Sequence, residues 1–206
     1  MMAKVRLQQW GCTFENLDRI AYVPKINQYG ETVSESARRT KWNGRAPSCI
    51  CNAELFDMRE YAPASGCPDY ITNTLGIAFQ NNKTPILSYA NNVKAKDWIG
   101  AYPMLVRDGK NVVTTIPMGL EGRVARTALA FNDHKVAILY VKKSDGMDLK
   151  EFANEIIKAG FHTAINLDGG GSTACISPFV KYDQGRRVRG KIAIWAKDGC
   201  VNKLAK

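Results

Sequence analysis

Short apolar runs separated by turn residues recur along the chain and predict a protein built mainly of β-strands. The predicted strands are Ile20–Val23, Cys49–Cys51, Leu75–Phe79, Pro85–Tyr89, Pro103–Arg107, Val112–Ile116, Arg126–Phe131, Val136–Val141, Thr163–Leu167, Ala174–Ile176 and Lys191–Trp195. Most follow one another closely, which favours antiparallel pairing. The clearest hairpin turns at Asn132–Lys135.

One segment has a helical pattern, from Asp148 to Ala159. Its apolar residues recur at the spacing of one helix face: Leu149, Phe152, Ala153, Ile156 and Ile157. Asp148 is a suitable N-cap and Gly160 a suitable C′ residue. A shorter helix is predicted at Ser34–Lys41, ended by Asn43-Gly44. Because the main helix joins two predicted strands, it indicates one parallel crossover.

These elements predict an α+β fold. We expect a single domain over residues 1–206, with a mixed, mostly antiparallel sheet and one or two packed helices. The 45% hydrophobic content is enough for a sizeable core. No apolar run is long enough to cross a membrane, and Met1–Gln9 has no leader-like apolar region, so the expected location is the cytoplasm.

The formal net charge of +10 favours an anionic partner, although a solvated basic surface explains it equally well. The basic clusters, around Arg38–Arg45 and Arg186–Lys191, contain no nucleic-acid-binding module, so a nucleic-acid partner is the weakest hypothesis. We expect a sugar phosphate, a nucleotide-type molecule or a glycan instead. The sequence leaves the oligomeric state open.

Six cysteines and two histidines lack the spacing of a zinc site. We expect the cysteines to be mostly buried, reduced side chains. The sequence indicates no cofactor, and the acidic residues do not demand a metal, although a divalent ion near Asp168 stays open.

The stretch Asn166–Thr173 concentrates the candidate chemistry, because one aspartate precedes three glycines and two hydroxyl side chains. No lysine follows as in a P-loop, and the glycine spacing is not that of a dinucleotide fingerprint. The Gly-x-Ser-x-Gly elbow of serine hydrolases is also absent. The sequence offers more support for carboxylate chemistry, since Glu54, Asp57 and Asp168 all stand at predicted strand ends.

This stretch resembles the Asn-Leu-Asp-Gly-Gly-Gly-Ser signature of the phosphodiester glycosidase family. Three further segments are similar to family patterns: Ala125–Ala128 to Pro-Arg-Thr-Ala, Tyr102–Gly109 to Gly-Pro-x-Leu-Val-x-Asn/Asp-Gly, and Asn52–Asp57 to Asn-Gly-Gly-Phe-Phe-Asp. Arg186-x-Val188 is similar to a late Arg-x-Val. The resemblance covers about residues 48–195. Two departures are Glu54, which replaces a glycine, and Lys142-Lys143-Ser144, where the family often has Asp-Gly-Arg.

The resemblance implies hydrolysis of a sugar-1-phosphodiester. Asp168 is then a base, a nucleophile or a ligand for sugar hydroxyls, and Glu54 or Asp57 is the second carboxylate. Arg126 would hold the phosphate through its guanidinium. The expected substrate-binding residues are Asn52, Thr127, Asn166, Gly169, Gly170, Gly171, Ser172, Thr173 and Arg186. The backbone N–H groups of the glycines would form an anion nest. The alternative is a binding protein that keeps the fold without the chemistry.

Overall fold

The computed structural model describes residues 7–26, 28–53, 75–80, 84–89, 98–100, 102–197 and 201–204. They form two α-helices, one 3₁₀ turn and fifteen strands, all in antiparallel pairs. Neither described α-helix has the length and apolar character needed to cross a bilayer.

The larger sheet has seven strands. In spatial order these are β15 (Val201–Leu204), β1 (Leu7–Thr13), β10 (Lys135–Val141), β9 (Arg126–Phe131), β11 (Thr163–Asn166), β7 (Met104–Arg107) and β8 (Lys110–Asn111). The predicted hairpin at its centre is confirmed, with Val136 opposite Phe131. The Asn132 side chain accepts bonds from the N–H groups of His134 and Lys135 and so fixes the turn.

Two further sheets accompany it. The five-stranded sheet has the order β13 (Lys181–Asp183), β12 (Ala174–Ile176), β3 (Cys49–Asn52), β14 (Gly190–Ala196) and β2 (Leu17–Pro24). The three-stranded sheet has the order β5 (Thr84–Tyr89), β4 (Leu75–Gln80) and β6 (Trp98–Gly100).

The two large sheets pack face to face between the two helices. Side chains from both sheets share one core, among them Trp10, Ile138 and Leu129 from the larger and Cys51 and Ile192 from the smaller. The outer face of the seven-stranded sheet packs on α2 (Leu149–Lys158), whose Phe152 and Ile156 belong to a second core. The outer face of the five-stranded sheet packs on α1 (Val33–Arg39). Four layers therefore result, in the order helix, sheet, sheet, helix.

The helix predictions are confirmed within a residue or two. The Asp148 side chain accepts a bond of 2.8 Å from the N–H of Glu151, so it is the N-cap of α2. Gly160 has a φ of +86°, the left-handed conformation that favours glycine after a helix. Thr32 caps α1 through a capping box with Glu35, so this helix begins one residue before the predicted Ser34.

Several details differ from the prediction. One mixed sheet was expected, but the described strands form three antiparallel sheets. The crossover through α2 does join two strands of the same direction, β10 and β11, but β9 lies between them and pairs with both. The strand predicted at Val112–Ile116 is wrong, because the strand after the turn is the short β8, and Val112 N–H makes only a single bond to β7, to Leu105 O at 3.0 Å. Cys12, Cys49, Cys51 and Cys175 are buried free thiols, as expected.

Candidate functional site

The glycine motif carries the chain from one large sheet to the other. Asn166 ends β11 in the seven-stranded sheet, and Ala174 begins β12 in the five-stranded sheet. Backbone bonds fasten the crossing on both sides, because Leu167 N–H donates to Thr127 O at 2.9 Å and Asp168 N–H donates to Ala53 O at 2.8 Å. The predicted strand end is therefore correct, and Asp168 lies at the seam between the sheets.

The carboxyl group of Asp168 has a pKa well above its usual value. One of its oxygens, Oδ1, accepts a bond of 2.8 Å from the N–H of Gly169. Burial raises the pKa of Asp168 to about 6, while bonds from Ser172 and Gly169 and the charge of Arg186 act to lower it. A carboxyl group with a pKa near neutrality is suited to proton transfer or nucleophilic attack.

Arg186 joins the site from the loop after β13. Its Nη1 donates to Oγ of the buried Ser172 at 3.3 Å, and Ser172 is also hydrogen-bonded to Asp168. The guanidinium covers Gly171 so closely that a Cβ atom there would lie 2.5 Å from Nη2 of Arg186. Only glycine leaves room for this contact. The predicted residues Asp168, Gly171, Ser172 and Arg186 therefore form one cluster.

Asn52 connects the two sheets beneath this cluster. Its Nδ2 donates to the carbonyl of Asp168 at 2.6 Å, and its Oδ1 accepts from Thr127 Oγ1 and from the N–H of Ala174, both at 3.0 Å. Asn52 and Thr127 are fully buried. These contacts occupy the groups that were predicted to bind sugar hydroxyls, so the geometry favours a positioning role for both residues.

Arg126 is also close to the glycine motif but is directed elsewhere. Its Nε donates to Met147 O at 3.0 Å, and its Nη2 donates to Leu120 O and Gly122 O at 2.9 and 2.8 Å. The side chain is 1% exposed, and burial lowers its pKa. A phosphate ligand at this position stays a prediction. The three carbonyl groups hold the guanidinium beside the glycine motif.

The predicted glycine nest requires a correction. The N–H of Gly169 donates to the Asp168 carboxylate, and the N–H of Gly170 donates to Ala125 O at 2.8 Å. Gly169 instead allows close approach, because a Cβ atom there would lie 2.8 Å from Ala125 O. Two of the three N–H groups are therefore unavailable for a three-donor nest. Arg186 offers a cationic group at the same loop.

Two buried polar atoms in the motif have no hydrogen-bond partner among the described residues, Oδ1 of Asn166 and Oγ1 of Thr173. Nδ2 of Asn166 donates to the carbonyl of Tyr102 at 3.1 Å. Both residues stay candidate ligands for a substrate hydroxyl, because an unpaired buried acceptor is costly. Glu54 and Asp57, the predicted second carboxylates, lie outside the described residues.

Gln184 is a site residue that the sequence analysis missed. Its side-chain amide donates to Gly170 O, so the same loop that supplies Arg186 also fixes the glycine turn Gly170–Ser172. Nothing in the sequence pattern distinguishes it from a surface glutamine. Within the described part of the chain, no group of three His, Cys, Asp or Glu side chains is placed to hold a metal ion.

The fold and site define a four-layered α+β domain with a buried carboxylate and an arginine at the seam between its sheets. The chain belongs to the phosphodiester glycosidase family, whose model matches residues 70–195, more than half of its length. No curated protein sequence matches it.

Fourteen chains of solved structures match this fold. One is the catalytic domain of zebrafish N-acetylglucosamine-1-phosphodiester alpha-N-acetylglucosaminidase, auto-inhibited by its pro-peptide. It has a TM-score of 0.70 and 14% identity, covering 95% of this chain and 85% of the zebrafish chain. A hypothetical protein from Synechocystis has a TM-score of 0.65 and 14% identity, covering 92% and 59% of the respective chains. At this identity the structural likeness shows the fold.

Proposed function

We propose that the protein hydrolyses a sugar-1-phosphodiester, cleaving the bond between the anomeric carbon and the phosphate oxygen. The observation that carries the proposal is the contact series Arg186–Ser172–Asp168, which places a cation beside a carboxyl group whose pKa is about 6. Membership of the phosphodiester glycosidase family and the likeness to the zebrafish glycosidase domain support the same reaction class.

Each group then has a role in the reaction. Arg186 binds the phosphate oxygens and stabilises the charge that develops as the phosphate leaves. A phosphate leaving group needs little protonation, so the ionised form of Asp168 is the active one, as base or nucleophile. The Ser172 hydroxyl and the Gly169 N–H hold this carboxylate in place. Asn166 Oδ1 and Thr173 Oγ1 accept bonds from sugar hydroxyls. The choice between retention and inversion depends on the distance to a second carboxylate.

The test is turnover of a panel of sugar-1-phosphodiesters, measured as released reducing sugar. Asp168→Asn is expected to lower kcat by about 10²- to 10⁴-fold. The matched control is Asp133→Asn, because Asp133 has a side chain that is 82% exposed and contacts only His162 among the described ion pairs. A wild-type protein that releases no sugar from the whole panel, while folded by circular dichroism, contradicts the proposal.

The second candidate is a protein that binds an anionic nucleotide or sugar phosphate without cleaving it. It is favoured by the engagement of Asn52, Thr127 and Arg126 in structural contacts, which leaves fewer polar groups for the reaction. The Lys142-Lys143 departure also adds positive charge. A ligand-induced rise in Tm without any product supports this candidate, and multiple turnover excludes it.

A further inference from the structure

A polar pocket of about 360 Å³ lies outside the set of predicted site residues. It is lined by Arg123, Lys143, Ser144, Asp145 and Gly146. Two segments form its walls, and a backbone bridge joins them. Val124 N–H donates to Met147 O at 3.3 Å, and Met147 N–H donates to Val124 O at 3.0 Å.

Buried contacts hold the pocket in this shape. Arg126 ties both walls together, because it donates to Gly122 O on one side and Met147 O on the other. At Gly146 a Cβ atom would lie 2.9 Å from Arg123 O, so the walls meet too closely for a side chain. These contacts fix the backbone of both walls.

Two cations, Arg123 and Lys143, and one carboxylate, Asp145, line the pocket. Asp145 accepts a bond from Ser144 Oγ at 3.3 Å. Glu151 pairs with Arg123 through both oxygens and offsets its charge. The Lys143 ammonium forms no ion pair with any described residue, while its backbone N–H donates to Tyr182 Oη at 3.0 Å. Lys143 thus offers a cation that an incoming anion can bind.

The pocket is adjacent to the glycine loop. Ala125 O accepts from Gly170 N–H at 2.8 Å, and Arg123 is two residues away along the chain, a span of at most about 7 Å. On the other wall, Lys143 is bonded to Tyr182, two residues before the Gln184 that fixes Gly170. Both walls are therefore connected to the loop that carries Asp168.

We propose that this pocket is a second phosphate-binding subsite, with Lys143 as its principal ligand and Arg123 as its second. The inference rests on the proposed function, because it places the pocket on the leaving-group side of the phosphodiester. The substrate then carries another phosphate beyond the one attached to the sugar. Two sources supply this chemistry, a sugar joined to a diphosphate and a polymer of repeated sugar phosphates.

The first experiment measures binding and needs no turnover. Inorganic pyrophosphate is titrated into the full chain by calorimetry at low salt. Lys143→Ala is expected to raise its Kd about tenfold, the size of one charge-assisted contact. The control is Lys150→Ala, because Lys150 is an exposed lysine at the start of α2, outside the pocket. Undetectable binding to the wild type, or equal Kd values for Lys143→Ala and the control, overturns the subsite.

Arg186→Gln shows where the pyrophosphate lies. A Kd that depends on Arg186 alone, with no contribution from Lys143, also overturns the subsite and assigns the anion to the glycine loop. A contribution from both residues supports one anion path across the two sites.

The second experiment compares kcat/KM for three substrates: a sugar-1-phosphate methyl diester, a nucleoside diphosphate sugar and a short sugar-phosphate oligomer. Lys143→Ala is expected to lower the kcat/KM of a substrate that fills the subsite about tenfold and to leave the methyl diester unchanged. The affected substrate identifies the source of the second phosphate. If the wild type turns over the substrates and Lys143→Ala changes kcat/KM equally for all three, the subsite is overturned and the proposed hydrolysis is not. Absence of all turnover together with Lys143-dependent pyrophosphate binding overturns the proposed hydrolysis and leaves the subsite supported.

Discussion

Asp168 shows how one residue obtains its chemistry from its surroundings. Burial makes the ionised carboxylate less favourable, and the bonds from Ser172 and Gly169 together with the charge of Arg186 offset only part of this effect. The resulting pKa of about 6 lies well above the usual value of 3.8. The residue is therefore mostly ionised at neutral pH and remains basic enough to accept a proton.

The activity is expected to follow the ionisation of Asp168. In the proposed reaction the ionised form is the active one, so kcat/KM should rise about tenfold per pH unit below pH 6 and become constant above it. A pH–rate profile between pH 4.5 and about 8.5 measures this, with circular dichroism at each pH to verify folding. Activity that falls as pH rises through 6 would instead assign a general-acid role to the protonated group.

Asn52 is the residue whose loss should disturb the site most without removing a reacting group. Asn52→Ala leaves the Asp168 carbonyl, the Ala174 N–H and the Thr127 hydroxyl without their partner inside the core. At about 1–3 kcal/mol for an unpaired buried group, the free energy of unfolding should fall by about 3 kcal/mol or more. Urea denaturation measures the change. Asn154→Ala, at an exposed helix position, should change it by less than about 1 kcal/mol, and similar values for both variants would contradict the role of Asn52.

The sequence predicted which residues form the site better than it predicted the contacts that those residues make. Asp168 and the glycines are readable because a carboxylate before three glycines is an uncommon pattern, and they do lie at the seam between the sheets. The sequence gives the charge of Arg126 but not the three carbonyl groups around its guanidinium. Gln184 and Asn52 act through partners far away in the chain, which no local pattern specifies.

At the level of elements, the loop after β13 is supported on both sides. One side contacts the glycine loop through Gln184 and Arg186. The other side contacts the N-terminus of α1, where the Asp183 carboxylate accepts from the N–H and hydroxyl of Ser34 at 2.9 and 2.6 Å. Helix α1 thus helps to position Arg186 through Asp183, although the helix lies on the outer face of the smaller sheet.

Asp183→Ala should separate this positioning from global stability. Loss of the bonds to Ser34 and to Gly185 N–H is expected to lower the free energy of unfolding by about 1–2 kcal/mol. The less constrained Arg186 should raise KM for the phosphodiester about tenfold while kcat changes less. The control variant Asp133→Ala should change neither quantity. A Tm loss with an unchanged KM would show that Asp183 is only structural.

The elements themselves were largely readable from the sequence. Helix α2 and the β9–β10 hairpin have strong local signals, a one-sided apolar face and a turn with Asn and Asp. Strand β1 was missed because Gln8, Gln9 and Gly11 interrupt its apolar positions, yet it pairs with β10 along its full length. Its stability comes from its neighbours in the sheet, which override local propensity.

At the level of the whole molecule, two sheets pack through a shared apolar core. A group of charged side chains lies on the outer face of the smaller sheet, next to α1. Glu31 is 2% exposed and Lys191 is fully buried, and they form an ion pair of 2.8 Å between the loop before α1 and strand β14. Arg39 of α1 completes the group from its partly exposed side. The division into sheets depends on pairings between strands far apart in the chain, such as β3 with β14, which explains why the sequence predicted the class of fold but only one sheet.

This buried group should respond unequally to the loss of its members. Burial acts to raise the pKa of Glu31, but bonds from Arg39 and Lys191 outweigh it and lower the pKa to about 2. Glu31→Gln removes the carboxylate that pairs with the buried Lys191 at 2.8 Å and should lower the free energy of unfolding at pH 7 by about 3–5 kcal/mol. Lys191→Met leaves Glu31 paired with the more exposed Arg39, so about half that loss is expected.

The pH dependence of unfolding provides the decisive measurement. Since the folded pKa lies below the usual 4.5, the contribution of ionised Glu31 is complete above pH 4.5 and disappears as the pH falls toward 2. Urea denaturation of wild type and Glu31→Gln should therefore give curves that converge in acid. Asp18→Asn, which removes the carboxylate paired with the exposed Arg45, should cost less than about 1 kcal/mol. Equal losses for Glu31→Gln and Lys191→Met, or a loss for Glu31→Gln that persists in acid, would show that packing and not charge gives Glu31 its effect.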